Sequence, residues 1–371
     1  MIQVCEPLIG QKEIDNVVDC LKSGRISGYG GKYLEQFEHG FADYCGVQYG
    51  VAVSNCGIAT LVTLEALGIG KGDEVIAPTF TMAAPHFAIV RAGARPVLVD
   101  AEYKTWNMNT SLIESKITKQ TKAILVAHVY GHPADMSAIM DIAKRRKLLV
   151  IEDAAEVHGA EYKGKKCGSF GIASNFSFYF NKTITTGEGG MVLTNDGELA
   201  KRIKLLRGYA TDEYNRFVHK YLGFNFRMSN VQAAIGCAQL EKLDKFVEKK
   251  RHIAAHYTEG LRDIPGLCLP IEMKWAKSSY WVYGLLIKPP YPLTRDELMK
   301  VMLGKGIETR QFFVGMHLQP VFRRLGIVNG GHLYPVSDDL TANGLYLPNG
   351  VNLTDKQISF ICEVIHENSI C

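Results

Sequence analysis

The sequence predicts an α/β fold: a large domain built on a mostly parallel, mixed sheet flanked by helices, followed by a small C-terminal α+β domain. Three observations predict it. Strand-like and helix-like stretches alternate from Val51 to Asp153, as successive βαβ units do. A chain of 371 residues is too long for one small core, so two domains are expected, 1–245 and 246–371. From Pro265 onward the composition shifts, and two short strand patterns flank one helix pattern.

The elements follow in order. Residues 11–23 carry Ile14, Val17, Val18 and Leu21 at helical spacing and stop at Gly24. Residues 24–32 are a glycine-rich loop, which either turns tightly or lies against a ligand. Residues 33–44 read as a second amphipathic helix. Residues 50–54 read as a strand, and a Ser54-Asn55-Cys56-Gly57 turn opens a helix to Leu67. Strands are expected at 74–80, 95–100, 123–129 and 148–153, with helices ending at Ala92 and spanning 136–146. Residues 174–180 alternate aromatic and polar, as a half-buried strand does, and 189–194 open the next strand. Asp196 is placed to cap a helix over 197–207. Ser229 with Gln232 three residues on forms a capping box for one long helix, 229–261, bridging the two domains. Strands at 281–287 and 307–314 surround a helix at 294–305, and a helix over 354–367 closes the chain.

Composition excludes several classes. Apolar residues are 47% and charged residues 22%, the balance of an ordinary globular protein. A net charge of +4, with no basic run interleaved with aromatics, gives no argument for nucleic acid or an acidic membrane. The nine cysteines are scattered and form no Cys-x-x-Cys, so neither zinc nor a disulfide framework is expected. Reduced thiols in a cytoplasm fit this usage. The N-terminus has no charged start before an apolar run, and no stretch of about twenty apolar residues exists, so neither a signal peptide nor a membrane span is expected.

Chemistry centres on Lys182, placed just after an aromatic strand. One reading is a solvated loop lysine. The other is an amine in a partly apolar pocket, free to attack a carbonyl. The neighbours Thr183, Thr185, Thr186, Gly187, Gly189 and Gly190 supply hydroxyls and bare backbone, which favours the second. Asp153 ends an apolar strand. It reads either as a helix cap or as a carboxylate for a cationic ring nitrogen. In open α/β sheets ligands bind beyond the strands' carboxyl ends, where 54–57, 153–156 and Lys182 all fall. A lysine, a strand-end aspartate and a helix start able to hold a phosphate together match the needs of pyridoxal 5'-phosphate (PLP).

Seven stretches carry a further resemblance: 37–46 (FEHGFADYCG), 68–78 (GIGKGDEVIAP), 128–136 (HVYGHPADM), 150–156 (VIEDAAE), 177–191 (SFYFNKTITTGEGGM), 223–230 (GFNFRMSN) and 307–310 (IETR). In this order they resemble the DegT/DnrJ/EryC1/StrS family of PLP-dependent sugar aminotransferases, of fold type I. The resemblance implies transfer of an amino group, with glutamate the family's usual donor, to a keto group of a nucleotide-linked 4-keto-6-deoxy sugar. It implies that Lys182 carries the cofactor and shuttles the proton, and that Asp153 pairs with the pyridine nitrogen. It further implies Glu156 near the ring hydroxyl, Ser177 on the phosphate, and Asn225 reaching the phosphate from a partner subunit, hence a homodimer with shared sites. By the same resemblance Cys56, Gly57 and Ile58 would form the phosphate turn, and Met82 would stand at the ring-stacking position. Arg25, Arg310, Phe313, His317, Tyr179 and Asn181 would fall near the substrate.

The chain departs from the family in two places. The phosphate turn has Gly57 where a threonine hydroxyl is usual, and Met82 replaces a stacking aromatic ring with a softer contact. These departures leave open a phosphorylated or cyclitol ketone, or a catalytically silent binding or regulatory homologue. A dehydratase of the same fold has histidine in place of the lysine, so Lys182 speaks against that class.

Overall fold

The computed structural model describes residues 1–211, 214–215, 217–328, 330–331 and 333–369. The elements run α1 (Gln11–Lys22), α2 (Lys32–Cys45), β1 (Tyr49–Val53), α3 (Cys56–Ala66), β2 (Glu74–Pro78), α4 (Ala83–Arg91), β3 (Arg95–Val99), β4 (Thr121–Ala127), α5 (Met136–Arg146) and β5 (Leu149–Asp153). Then come β6 (Glu161–Tyr162), β7 (Lys165–Lys166), β8 (Ala173–Ser177), β9 (Gly190–Thr194), α6 (Gly197–Arg207), α7 (Asn230–Leu240) and α8 (Leu243–Leu261). The last are β10 (Leu267–Cys268), β11 (Ala276–Lys277), β12 (Tyr283–Ile287), α9 (Arg295–Gly304), β13 (Arg310–Gln311), α10 (Pro320–Arg324), α11 (Pro335–Asn343), β14 (Gly344–Leu347) and α12 (Asp355–Glu367).

Seven strands form the main sheet in the order β1-β9-β8-β5-β4-β2-β3. Only β9 runs against its neighbours; the other pairings are parallel. The strands read as apolar runs because helices cover both faces. Val75–Ala77, Ala123–Val126 and Val150–Ile151 are all buried. The mainly apolar α3 is packed between the sheet and other helices, so it needs no polar face. The second sheet, β10-β12-β14-β13, packs on α8, α9 and α12.

The single long helix expected over 229–261 is two helices. The Ser229–Gln232 capping box forms as expected, but the chain breaks at Glu241 and Lys242. Neither is a helix breaker. Lys242 Nζ lies 2.6 and 2.7 Å from the two oxygens of buried Glu13, and Gln239 donates to the same carboxylate. This contact with a residue over two hundred positions away overrides local propensity. Leu243, Phe246 and Val247 of α8 join the core of the large sheet; Ile253, Tyr257 and Leu261 join the second core.

The strand expected over 307–314 shrinks to β13. Past Gln311 the backbone turns inward: Phe313 N donates to the Tyr130 hydroxyl at 3.0 Å and Gly315 N to Thr341 Oγ1. Those amides are spent on side chains instead of a ladder. The eight described cysteines are all unpaired. Among the described residues no helix is long and apolar enough to cross a membrane.

Candidate active site

The parallel strands β5 and β8 deliver their last residues, Asp153 and Ser177, to one sheet edge, beside the turn from β1 into α3. Lys182 sits in the loop after β8, where its amide donates to Tyr179 O in a tight turn. A cavity of about 420 Å³ opens there, within the size range of small-molecule sites. Asn55, Cys56 and Gly57 border it, as do Met82, Asp153, Glu156, Ser177, Tyr179, Asn181, Lys182, Arg310 and Phe313.

The turn into α3 is tight because β9 presses on it. A Cβ on Gly190 would sit 2.4 Å from the carbonyl carbon of Asn55 and 2.7 Å from Cys56 N, so only glycine fits. Asn55 caps the helix through Ile58 N at 2.9 Å. The first amides of α3, at Cys56 and Gly57, therefore open onto the cavity those residues line. Such a helix start favours an anion.

Lys182 Nζ lies 3.7 Å from Glu156 Oε1 and 3.6 Å over the Trp281 ring. Glu156 accepts a hydrogen bond from Tyr130 N at 2.8 Å. Burial pushes the Glu156 carboxyl up to about 7, against the opposing pull of the Lys182 charge. Burial also raises Asp153, whose Oδ1 accepts the Ala155 amide at 3.1 Å. A cationic partner at that carboxylate would reverse the shift. The Cys56 thiol donates to Asn175 O at 3.5 Å and lies 3.9 Å from Asp153 Oδ1.

Beneath this floor His128 Nδ1 accepts the Ala134 amide, so its Nε2–H faces Glu152 at 3.1 Å. Glu152 also accepts the amides of Gly168, Phe170 and Gly171. Burial works to raise its carboxyl, but His128 and these amides outweigh it. Asn181 presents a buried Oδ1 with no partner at the cavity wall.

These groups fit PLP. There is one amine for its aldehyde, a buried carboxyl for its ring nitrogen, a helix start and the Ser177 hydroxyl for its phosphate, and an orphaned acceptor beside them.

Several residues singled out in the sequence lie outside the cavity. Ile58 packs into the core between α3 and the sheet. Arg25 lines a separate hollow with Asp19, Lys32 and Asn230. Asn225 is exposed, and its backbone bridges to Gly208. His317 is buried: its ring meets Thr79 Oγ1 and Asp338 Oδ1, both at 2.8 Å, and stacks on Tyr334. In turn, the cavity includes residues that sequence reading passed over. Trp281 comes from just before β12, and its Nε1 donates to Asn181 O at 2.8 Å. Tyr130 lies outside the cavity lining, but its left-handed backbone, φ 57°, aims its amide at Glu156. His128 and Tyr130 lay within a quoted motif; Trp281 had no such signal.

The sequence matches the DegT/DnrJ/EryC1/StrS aminotransferase family over residues 7–366. It is 43% identical to GDP-perosamine synthase of Escherichia coli O157:H7, over 99% of this chain and 98% of that protein. It is 39% identical to GDP-perosamine synthase of Caulobacter vibrioides, over 99% and 98%. The fold superposes on the aminotransferase from Psychrobacter cryohalolentis with a TM-score of 0.93 at 30% identity, covering 98% of this chain and 97% of that one.

Proposed function

The chain belongs to the DegT/DnrJ/EryC1/StrS aminotransferase family, and on that premise we propose that it transfers an amino group from glutamate to the keto carbon of a GDP-linked 4-keto-6-deoxy sugar. The observation that carries the reading is the Lys182 amine. It stands between the Glu156 carboxylate and the Trp281 ring, in a cavity that Asp153 also lines. The relatives' names supply the sugar. Lys182 would hold PLP, Asp153 its ring nitrogen, and Ser177 with the start of α3 its phosphate. Bound PLP supplies an electron sink for the carbon that loses or gains a proton. The chain's own share is to place that proton. Lys182 Nζ is the mobile base, and Glu156, 3.7 Å away, steadies its charge. Trp281, Phe313 and Tyr346 wall the cavity with apolar surface and exclude water. Arg310 is a cation at the rim for an anionic part of the substrates, and Asn181 and Tyr179 are polar contacts for the sugar.

We further propose a homodimer that shares its sites, with Asn225 reaching the partner's phosphate. The segment around Asn225 supports this: Tyr209, Tyr221 and Leu222 are exposed, an apolar patch that favours a partner. The interface should be of the obligate class, above about 2,000 Å². An active monomer in sedimentation would refute it. The test of function is purified protein with PLP, glutamate and a panel of ketones: GDP-4-keto-6-deoxymannose, a dTDP-linked 4-keto sugar, and a phosphorylated and a cyclitol ketone. Amination of the GDP sugar well above the others is expected. Turnover of a non-nucleotide ketone alone would overturn the substrate.

A further inference from the structure

Away from the cavity, α8 and the start of α12 bring together His252, His256 and Asp355, with one ligand atom from each within 4.8 Å of the others. The two histidines are four apart on α8, so both rings project from one face, and their centroids lie 6.4 Å apart. Asp355 is the first residue of α12. Its position is fixed by the packing of Ile358, Ile361 and Ile365 with Ile253, Tyr257 and Leu261 of α8. Asp355 Oδ1 is 2.9 Å from His252 Nε2, and both side chains are more than half exposed. We propose that this cluster binds a divalent first-row transition metal ion such as Zn²⁺, Ni²⁺ or Cu²⁺, held by two imidazoles and one carboxylate and completed by water.

The donor set selects the class of ion. Two neutral imidazoles suit zinc, nickel and copper, whereas magnesium and calcium demand a shell of oxygens. Two histidines four apart on a helix are a ready chelate for zinc, whose bonds to imidazole nitrogen are about 2.0–2.1 Å. The ion replaces the His252–Asp355 hydrogen bond. The proton on His252 Nε2 leaves to solvent, or moves to Nδ1 when that nitrogen is free.

Two neighbours face the site. Ser359 Oγ lies 3.3 Å from His256 Nε2 and can hydrogen-bond a bound water. Lys249 Nζ lies 3.7 Å from Asp355 Oδ1 and competes with the ion for the carboxylate. The ion would fasten α8 to α12, so its effect falls on stability and not on amino transfer.

The experiment is calorimetric titration of untagged, PLP-loaded protein, cleared of metal with chelator, with ZnCl₂ and separately NiCl₂. Thermal unfolding is followed in parallel. One saturable site per chain and a raised midpoint are expected. Even outer-sphere partners of a metal affect affinity by about 10–100-fold, so H252Q and H256Q should each weaken binding by about tenfold or more. K249A should tighten it. His252 is exposed and His256 half-buried, both away from the cavity, so the variants should fold and transaminate as wild type does. No saturable binding to wild type, or unchanged affinity in the H252Q/H256Q double variant, would overturn the site.

Discussion

The amine of Lys182 rests 3.6 Å over the ring of Trp281, and the same indole donates its N–H to the carbonyl of Asn181, the residue before the lysine. One aromatic side chain thus holds both the charge and the backbone of the reactive residue. Its own backbone is held in turn: buried Lys250 donates to Trp281 O at 3.0 Å. A cation over an indole gains about 0.5–2 kcal/mol. Trp281→Leu keeps an apolar wall but removes both contacts, so kcat should fall on the order of tenfold with the fold intact. Steady-state kinetics check this, and an unchanged kcat would show the contact to be idle.

Lys182 itself should be indispensable. Lys182→Ala removes the amine that an aldehyde would meet and the base beside Glu156. Turnover should vanish, together with the cofactor attachment that borohydride makes permanent. Near-wild-type transamination by the variant would reassign the role.

Asp153 ends β5 with its carboxyl buried against Cys56 and the Ala155 amide. Asp153→Asn keeps the shape and removes the charge. The variant should bind PLP yet lose about 10²–10⁴ in rate, the range for a misplaced acid–base partner. Unaltered kinetics would mean that another group serves the ring nitrogen.

Glu156 predicts a pH dependence of stability. Burial raises its folded pKa to about 7, whereas in an unfolded chain a glutamate titrates near roughly 4.3. Between those values the folded state binds more protons, so stability is fully present below the lower value and is lost as pH rises through the upper one. The loss is on the order of 3 kcal/mol. In Glu156→Gln the Tyr130 amide keeps its acceptor, and this slope should disappear. Urea unfolding of cofactor-free protein at pH 5 and pH 8 checks it; equal pH dependence in the two proteins would contradict it.

What was legible in the sequence was local. Lys182 and Asp153 stand at strand ends, where the chain's own pattern shows both the residue and its place; Glu156 and Ser177 stand in short motifs that the family resemblance marks. The helix over 136–146 and the cap at Asp196 were equally local. What escaped was set at a distance. The break before α8 is drawn by Glu13, and Trp281 arrives from about one hundred residues past the lysine it covers. His317 was expected near the substrate, but Thr79 and Asp338 engage its ring, and neither partner is visible from its neighbours in sequence.

The phosphate turn carries the last prediction. Gly57 lacks the threonine hydroxyl usual in the family, and Met82 at the cavity rim is 54% exposed, with no ring to stack on a cofactor. A missing hydrogen bond to a charged group is worth about 1.5–3 kcal/mol. Missing ring stacking is worth a further ~0.5–1.5 kcal/mol. PLP should therefore leave on dialysis and return on addition. Gly57 lies inside α3, outside the left-handed region, and a Cβ there would meet only Asn55 Oδ1 at 3.4 Å and Ala84 Cβ at 3.7 Å. The backbone accordingly has no need of glycine, and Gly57→Thr should fold. The added hydroxyl would stand beside the first amides of the helix, where an anion is already favoured. Its PLP dissociation constant should drop on the order of tenfold or more for the hydrogen bond gained. Equal constants for the two folded proteins would mean that Asn55, Ser177 and the helix start already complete the phosphate site.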